Sequence, residues 1–155
     1  MVEVSVNLSE FKNFAKDFDA NLRSALRKGL GESAELLIHG AKKNLDEQFN
    51  ISAHSTAPRS IQVDSDKTTD TSITIGINET ICPYAIYLHE GTKEHSIAPK
   101  IVNSLHWVDG EQDFFSMGHE VSGITAGKFL YKAAEELKDK IIDTIKEYIR
   151  QSLRA

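Results

Sequence analysis

The chain has 155 residues, with 23 acidic and 18 basic residues that give a formal net charge of −5. Hydrophobic residues make up 40% and charged residues 26%, which excludes a fibrous or disordered chain and fits an ordinary globular protein. The length predicts a single domain over residues 1–155. The single cysteine, Cys82, excludes an intrachain disulfide and a cysteine-cluster metal site, and we interpret it as a small buried hydrophobic residue.

The sequence shows no membrane or export signal. No apolar run approaches the roughly 20 residues of a membrane span, and the N-terminus lacks a basic and then apolar signal pattern, so we expect a protein that stays in the cytosol. Residues 50–127 carry four Lys or Arg against ten Asp or Glu. This acidic excess disfavours a surface that binds nucleic-acid phosphates. It fits loops that keep the protein soluble.

The N-terminal third predicts a short strand and then one long helix. Valines alternate with polar residues over 2–6, which is typical of a strand with one buried face. Asn7 and Glu10 have the spacing of a capping box. Apolar residues then recur at helical spacing over residues 8–49, where a longer helix could restart at Asp19 or Asn21 and could bend or break near Gly29. We predict one continuous helix there, because the apolar register does not shift at the glycines near position 30, although each costs about 1 kcal/mol relative to alanine.

The next segment predicts a loop and a hairpin. Residues 50–60 are small and polar without periodicity, so we expect an exposed loop. The segments 61–63 and 72–78 alternate apolar and polar residues around a polar turn. They predict an antiparallel β-hairpin.

A second hairpin is predicted further along the chain. Pro99 disfavours helix before it, so the chain should run extended into a strand over 103–108. Asp109-Gly110 is a strong turn signal, and residues 113–117 bring a second strand back. We expect this hairpin to join the first one in the same sheet.

A long final helix completes the predicted fold. Apolar residues form a continuous stripe over 127–153, with Thr125 as a candidate cap. The fold class is therefore α+β. We predict an antiparallel sheet of about four to five strands, within residues 60–121, packed between the N-terminal helix over 8–49 and the C-terminal helix.

The densest motif lies at residues 82–100, CPYAIYLHEGTKEHSIAPK. Pro83 suits the first position of a short helix, and Gly91 suits the residue just past its end. A single helical turn is therefore predicted, followed by a loop. Three apolar residues at helical spacing predict one face of this turn packed against the core: Tyr84, Tyr87 and Leu88.

The order of these motifs resembles a known family. A tyrosine-rich turn ending in Glu-Gly-Thr is followed by Ile-x-Pro-Lys, a Leu-x-Trp strand, an aromatic strand, a glycine and a Phe-Leu that opens the last helix. In this order the chain resembles the neck or tail-completion proteins of long-tailed bacteriophages, also described as head–tail joining or minor tail proteins. The matching residues are Tyr84, Ala85, Tyr87, Glu90, Gly91, Thr92, Ile97, Pro99, Lys100, Leu105, Trp107, Phe115, Gly123, Phe129, Leu130 and Ala133.

The resemblance implies a structural virion protein of a tailed phage or prophage, not an enzyme, with no cofactor or metal. Its partners would be further copies of itself in a ring, and other neck, connector and tail proteins. DNA would pass as cargo without sequence-specific binding, through a channel that the acidic residues of 50–127 could line. The loop over 50–60 could join neighbouring subunits of the ring, and no membrane is implied. The protein would reside in the host cytoplasm during assembly and then in the virion neck or tail. The residues expected to fix subunit geometry are Tyr84, Tyr87, Glu90, Gly91, Thr92, Pro99, Lys100, Phe129 and Leu130.

Two details of this interpretation concern particular side chains. Glu90 could pair with Lys100 of its own or of a neighbouring chain. A cluster of aromatic residues could stack on single-stranded nucleic acid, but it lacks interleaved basic residues, so we interpret it as core and subunit interface. The cluster is Tyr84, Tyr87, Trp107, Phe114 and Phe115.

Other functional classes remain open. Four histidines, His89, His95, His106 and His119, suggest a small metal-dependent hydrolase, although none has the spacing of a zinc-protease helix. Glu90 with Glu94 or Asp109 could form an acid–base pair. A third alternative is a bacterial adaptor that dimerises through its terminal helix.

Overall fold

The computed structural model describes residues 8–51, 55–69, 71–100 and 104–154, and within these it leaves out the side chains of residues 8–15, 107 and 109. The helices are α1 (Leu8–Phe49), α2 (Ala57–Ser60), α3 (Ala85–Glu90) and α4 (Phe129–Ser152), with a 3₁₀ turn at Ser65–Lys67. The strands are β1 (Ile61–Val63), β2 (Ile75–Ile77), β3 (His95–Ile97), β4 (Leu105–Asp109), β5 (Gln112–Ser116) and β6 (His119–Val121). The predicted strand over 2–6 and the Asn7 cap lie outside the described residues.

Two long helices, α1 and α4, pack against each other. Gly29 of α1 lies against Ile145 and Tyr148, and a Cβ at Gly29 would lie only 3.1 Å from the Ile145 Cα. The glycine thus allows close approach of the two helices without interrupting α1, which runs unbroken for 42 residues. The prediction of one long helix over 8–49 is confirmed. The sequence could not show that its apolar face meets another helix, because periodicity reports burial and not the partner.

The final helix begins two residues later than predicted, at Phe129, and ends at Ser152. Thr125 as its cap is wrong. The residue before the helix is Lys128, which has a left-handed φ of 47° and makes no side-chain capping hydrogen bond. None of the described helices combines the length and apolarity needed to cross a bilayer.

The predicted sheet of four to five strands is wrong. The described strands form three separate two-stranded antiparallel sheets, β1–β2, β3–β6 and β4–β5. The first hairpin is confirmed with Ile61 opposite Ile77, and the second with Leu105 opposite Ser116. The second hairpin does not join the first, since β4 and β5 form a sheet separate from both β1–β2 and β3–β6. The expected helix–sheet–helix sandwich is therefore wrong as well.

The hydrophobic core lies where α1 ends and α4 begins. It includes the fully buried Cys82, as predicted. The segment expected as an exposed loop also contributes, since it forms α2, whose Ala57 and Ser60 are fully buried. The Ser60 hydroxyl donates to the Ala57 carbonyl at 2.7 Å, which satisfies this buried polar group. The buried core residues are Ala41, Leu45, Ala57, Ile61, Cys82, Ala85, Phe129 and Ala133.

Candidate assembly surface

The central motif folds as a short helix, but its buried face differs from the prediction. Helix α3 follows Tyr84 and ends at Gly91, which has a φ of 78°. Its buried side chains are Ala85 and His89, whereas Tyr84 is exposed and Tyr87 is 55% exposed. The predicted face against the core is therefore wrong for the two tyrosines, whereas Leu88 packs against the core as predicted. Alanine and histidine one turn apart form an equally regular face, and the small alanine allows close packing.

Backbone hydrogen bonds join the end of α3 and the residues after it to the segment that leads into α4. The Thr92 N–H donates to the Ile124 carbonyl at 2.9 Å, and the Ile124 N–H donates to the Thr92 hydroxyl at 3.0 Å. Further along, the Gly127 N–H donates to the Leu88 carbonyl at 2.9 Å. We call this pairing of residues 88–92 with 124–128 the clasp. The Glu-Gly-Thr motif therefore stabilises the fold of a single chain, because Gly91 ends α3 and Thr92 bonds Ile124.

His89 is the buried polar centre of the clasp. Its side chain is 3% exposed, and its ring meets Phe129 edge-on, with centroids 4.7 Å apart. Its Nδ1 lies 2.8 Å from Glu90 Oε1, and its carbonyl accepts the Lys128 N–H at 2.9 Å. Within the chain Glu90 thus pairs with His89 and not with Lys100, which is exposed. A pairing of Glu90 with Lys100 of a neighbouring copy stays a prediction.

An apolar cleft of about 400 Å³ opens beside the clasp. Both motif tyrosines line it, and the Tyr84 hydroxyl is also 2.9 Å from the Ser55 hydroxyl. Phe129 and Leu130, by contrast, are buried and half-buried, so they serve the core of this chain. The cleft is lined by Tyr84, Tyr87, Leu88, Thr92, His95, Val121, Ser122 and Ile124.

Two successive two-stranded sheets lie between the two segments of the clasp in the chain, and we call the described residues of 95–121 the ribbon. Its near half is β3–β6 and its far half β4–β5, which turns back between Asp109 and Gln112. In the near half the Ser96 hydroxyl donates to the Glu120 carboxylate. In the far half the His106 ring stacks on Phe115 with centroids 4.7 Å apart.

Large apolar side chains of the ribbon face solvent. Phe115 is 67% and Met117 is 77% exposed, and Val108 and Phe114 are exposed as well. The expectation that Phe114 and Phe115 belong to the core is therefore wrong, and the Trp107 side chain lies outside the described part. Strong strand patterns predicted the hairpin, but they gave no sign that its large apolar side chains face solvent.

The four candidate metal ligands do not converge. His89 pairs with Glu90, whereas His106 Nε2 lies 2.7 Å from Asp113 Oδ1. His95 Nδ1 lies 3.1 Å from the Lys93 carbonyl, and His119 is opposite Ile97 in the ribbon. Over the described ranges, no group of three or more His, Cys, Asp or Glu side chains is arranged to hold a metal ion.

Comparison of the chain with protein-family models, with curated proteins and with solved structures finds no match. A functional assignment therefore depends on the motif resemblance and on the surfaces described above.

Proposed function

We propose that this chain is a structural virion protein of a tailed phage or prophage, which forms a ring at the head–tail junction or completes the tail. The protein assembles in the host cytoplasm and acts in the virion without catalysis. Its partners are further copies of itself and other neck and tail proteins. The order of motifs between Tyr84 and Ala133 supports this assignment, since it resembles that of the neck and tail-completion proteins.

The observation that carries the proposal is the ribbon. An isolated two-stranded hairpin is at best marginally stable in water, and exposed apolar patches on soluble proteins commonly mark interaction sites. Here Phe115, Met117 and Val108 lie exposed on such a hairpin. A partner that covers them would both stabilise the ribbon and bury apolar surface, as expected of an assembly protein.

The ribbon, the apolar cleft and the exposed acidic residues are placed on the chain in a way that suits a ring. The ribbon and the apolar cleft are different patches of one chain, and contacts between unlike patches produce closed rings when the rotation between subunits closes. Acidic side chains of the central region also face solvent, which suits a surface past which DNA moves without binding. The exposed acidic residues are Asp66, Glu79, Glu90, Glu94, Glu111, Asp113 and Glu120.

The solution mass tests this proposal against the hydrolase alternative. Light scattering over a wide concentration range should show a ring, or a monomer that converts to a ring as concentration rises, with no stoichiometric metal in the same sample. A stable monomer or dimer that holds one zinc ion per chain would contradict the proposal and favour a metal-dependent hydrolase.

A further inference from the structure

We propose that the N-terminal end of α1 pairs antiparallel with the same end of α1 in a second copy of this chain. Helix α1 has 42 residues and α4 has 24, which correspond to lengths of roughly 63 Å and 36 Å. The C-terminal end of α4 lies beside Asn21 and Ala25, because Gln151 and Ser152 line one groove with them. Residues 8–20 therefore extend past the end of α4 by roughly 20 Å, and we call them the overhang.

The side of α1 that faces α4 continues into the overhang. Ala25 is buried, and a Cβ at Gly29 would lie 3.1 Å from the Ile145 Cα, so both positions face α4. From there toward the N-terminus, apolar residues recur at alternating spacings of three and four, which is typical of the seam between two packed helices. The seam positions are Leu8, Phe11, Ala15, Phe18, Leu22, Ala25 and Gly29. The side chains of residues 16–20 are all exposed, so a second helix can extend the contact that α4 makes with α1.

The position of α4 fixes the direction of the second helix. A parallel partner would bring its own α1 into the space that α4 fills, where a Cβ at Gly40 would lie only 2.7 Å from the Leu137 Cδ1. An antiparallel partner instead continues the line of α4 and leaves the molecule beyond the overhang, so both copies keep α4 in place. Since the two overhangs have the same length, each covers the seam of the other from end to end. The contact is therefore twofold and isologous.

The sequence of the overhang is complementary to itself in side-chain size. When Leu8 of one copy lies beside Phe18 of the other, the antiparallel alignment places Phe11 beside Ala15. Large residues opposite small ones allow two helices to interdigitate closely. A helical segment this short gains most of its stability from the packing of its apolar face, so the pairing also stabilises the overhang. The length, the direction and the residue sizes thus favour a second copy as the partner.

The solution mass of three variants separates this contact from the ring contact. The twofold contact uses the overhang, whereas the proposed ring contact uses the ribbon, so wild-type protein should form pairs of rings with twice the mass of the Phe18→Ser variant. Phe115→Ser, which removes an apolar side chain of the ribbon, should leave a dimer. Addition of Phe18→Ser to that variant should weaken the dimer at least about tenfold. Because Phe18 is 45% exposed and lies beyond α4, its replacement should leave the unfolding temperature unchanged.

Disulfide trapping between singly substituted proteins tests the direction of pairing. The native cysteine, Cys82, is buried, so background cross-linking is low. Under mild oxidation, Phe11→Cys mixed with Ala15→Cys should form the mixed dimer at least about tenfold faster than Phe18→Cys mixed with Ala15→Cys. The antiparallel alignment brings the first two positions together, but it separates the second two by roughly 10 Å along the helix axis.

The twofold contact and the ring contact fail in different ways. A Phe18→Ser variant that keeps the full wild-type mass, or trapping at equal rates, would overturn the twofold contact and leave the ring proposal standing. Dimers that never close into rings, but that dissociate in the Phe18→Ser variant, would support the twofold contact and contradict the ring. A wild-type protein that stays monomeric at every concentration would overturn both.

Discussion

At the scale of single residues, Gly91 occupies a position in the clasp that a residue with a side chain would strain. Its φ of 78° suits glycine, and a Cβ there would lie 2.7 Å from the Ile124 carbonyl oxygen. The residue both ends α3 and allows the segment before α4 to lie alongside it. The geometry of the monomer therefore explains why a glycine stands at this position of the family motif.

Gly91→Ala should lower the free energy of unfolding by about 2 kcal/mol, because it adds backbone strain and a steric clash in the clasp. Urea denaturation measures this change. Gly76→Ala is the control, since a Cβ at Gly76 meets no atom within 4 Å, and it should alter stability by less than about 1 kcal/mol. Equal effects of the two substitutions would refute the structural role of Gly91.

The residue scale also shows what sequence patterns could not reveal. Helical spacing correctly predicted a turn between Pro83 and Gly91, but it assigned the buried face to the tyrosines. His89 is buried instead, because it pairs with Glu90 and packs against Phe129, which is 40 positions further along the chain. A tertiary contact of this kind leaves no local signal.

At the scale of elements, the two long helices are joined by a polar contact near the end of α4. The Tyr148 hydroxyl donates to Glu32 Oε2 at 2.5 Å, across the interface of α1 and α4. This hydrogen bond raises the pKa of Tyr148 above its ordinary value of 10.0, and the negative charge of Glu32 and burial act in the same direction. The contact requires the protonated phenol as donor.

Wild-type protein should therefore lose more unfolding free energy than the Tyr148→Phe variant when the pH becomes alkaline. Because the pKa in the folded state lies above that in the unfolded state, the stabilisation is complete below the unfolded pKa and is lost as pH rises through the folded pKa. We expect the difference in unfolding free energy between wild type and variant to shrink between about pH 8 and about pH 11. Urea titrations at both pH values measure it, and a difference that does not change with pH would contradict the coupling.

The elements themselves were largely predictable, and their arrangement was not. Continuous apolar periodicity predicted the helices over 8–49 and 127–153, and alternation with turn residues predicted both hairpins. The predicted number of strands per sheet was wrong, because β1 and β2 pair through only three residues each and no third strand joins them among the described residues. The prediction that both long helices pack on a sheet was wrong for another reason, since an apolar stripe fits a sheet or a helix equally well.

At the scale of the whole molecule, two long packed helices carry the clasp at the start of α4, and the ribbon connects the two segments of the clasp in the chain. The ribbon and the apolar cleft beside the clasp are two unlike surfaces of one chain, and the proposed ring of identical subunits needs at least two. Of this candidate surface the sequence predicted the aromatic residues and the hairpin. It could not predict their exposure, which is a property of the folded chain.

Electron microscopy of the purified protein, at the concentration where its mass is highest, tests the central claim most directly. The account predicts closed rings of uniform subunit number with a central opening, and their loss in a Phe115→Ser variant that keeps the wild-type unfolding temperature. Particles that remain monomeric, or that pair through a single twofold contact without closing into a ring, would contradict it.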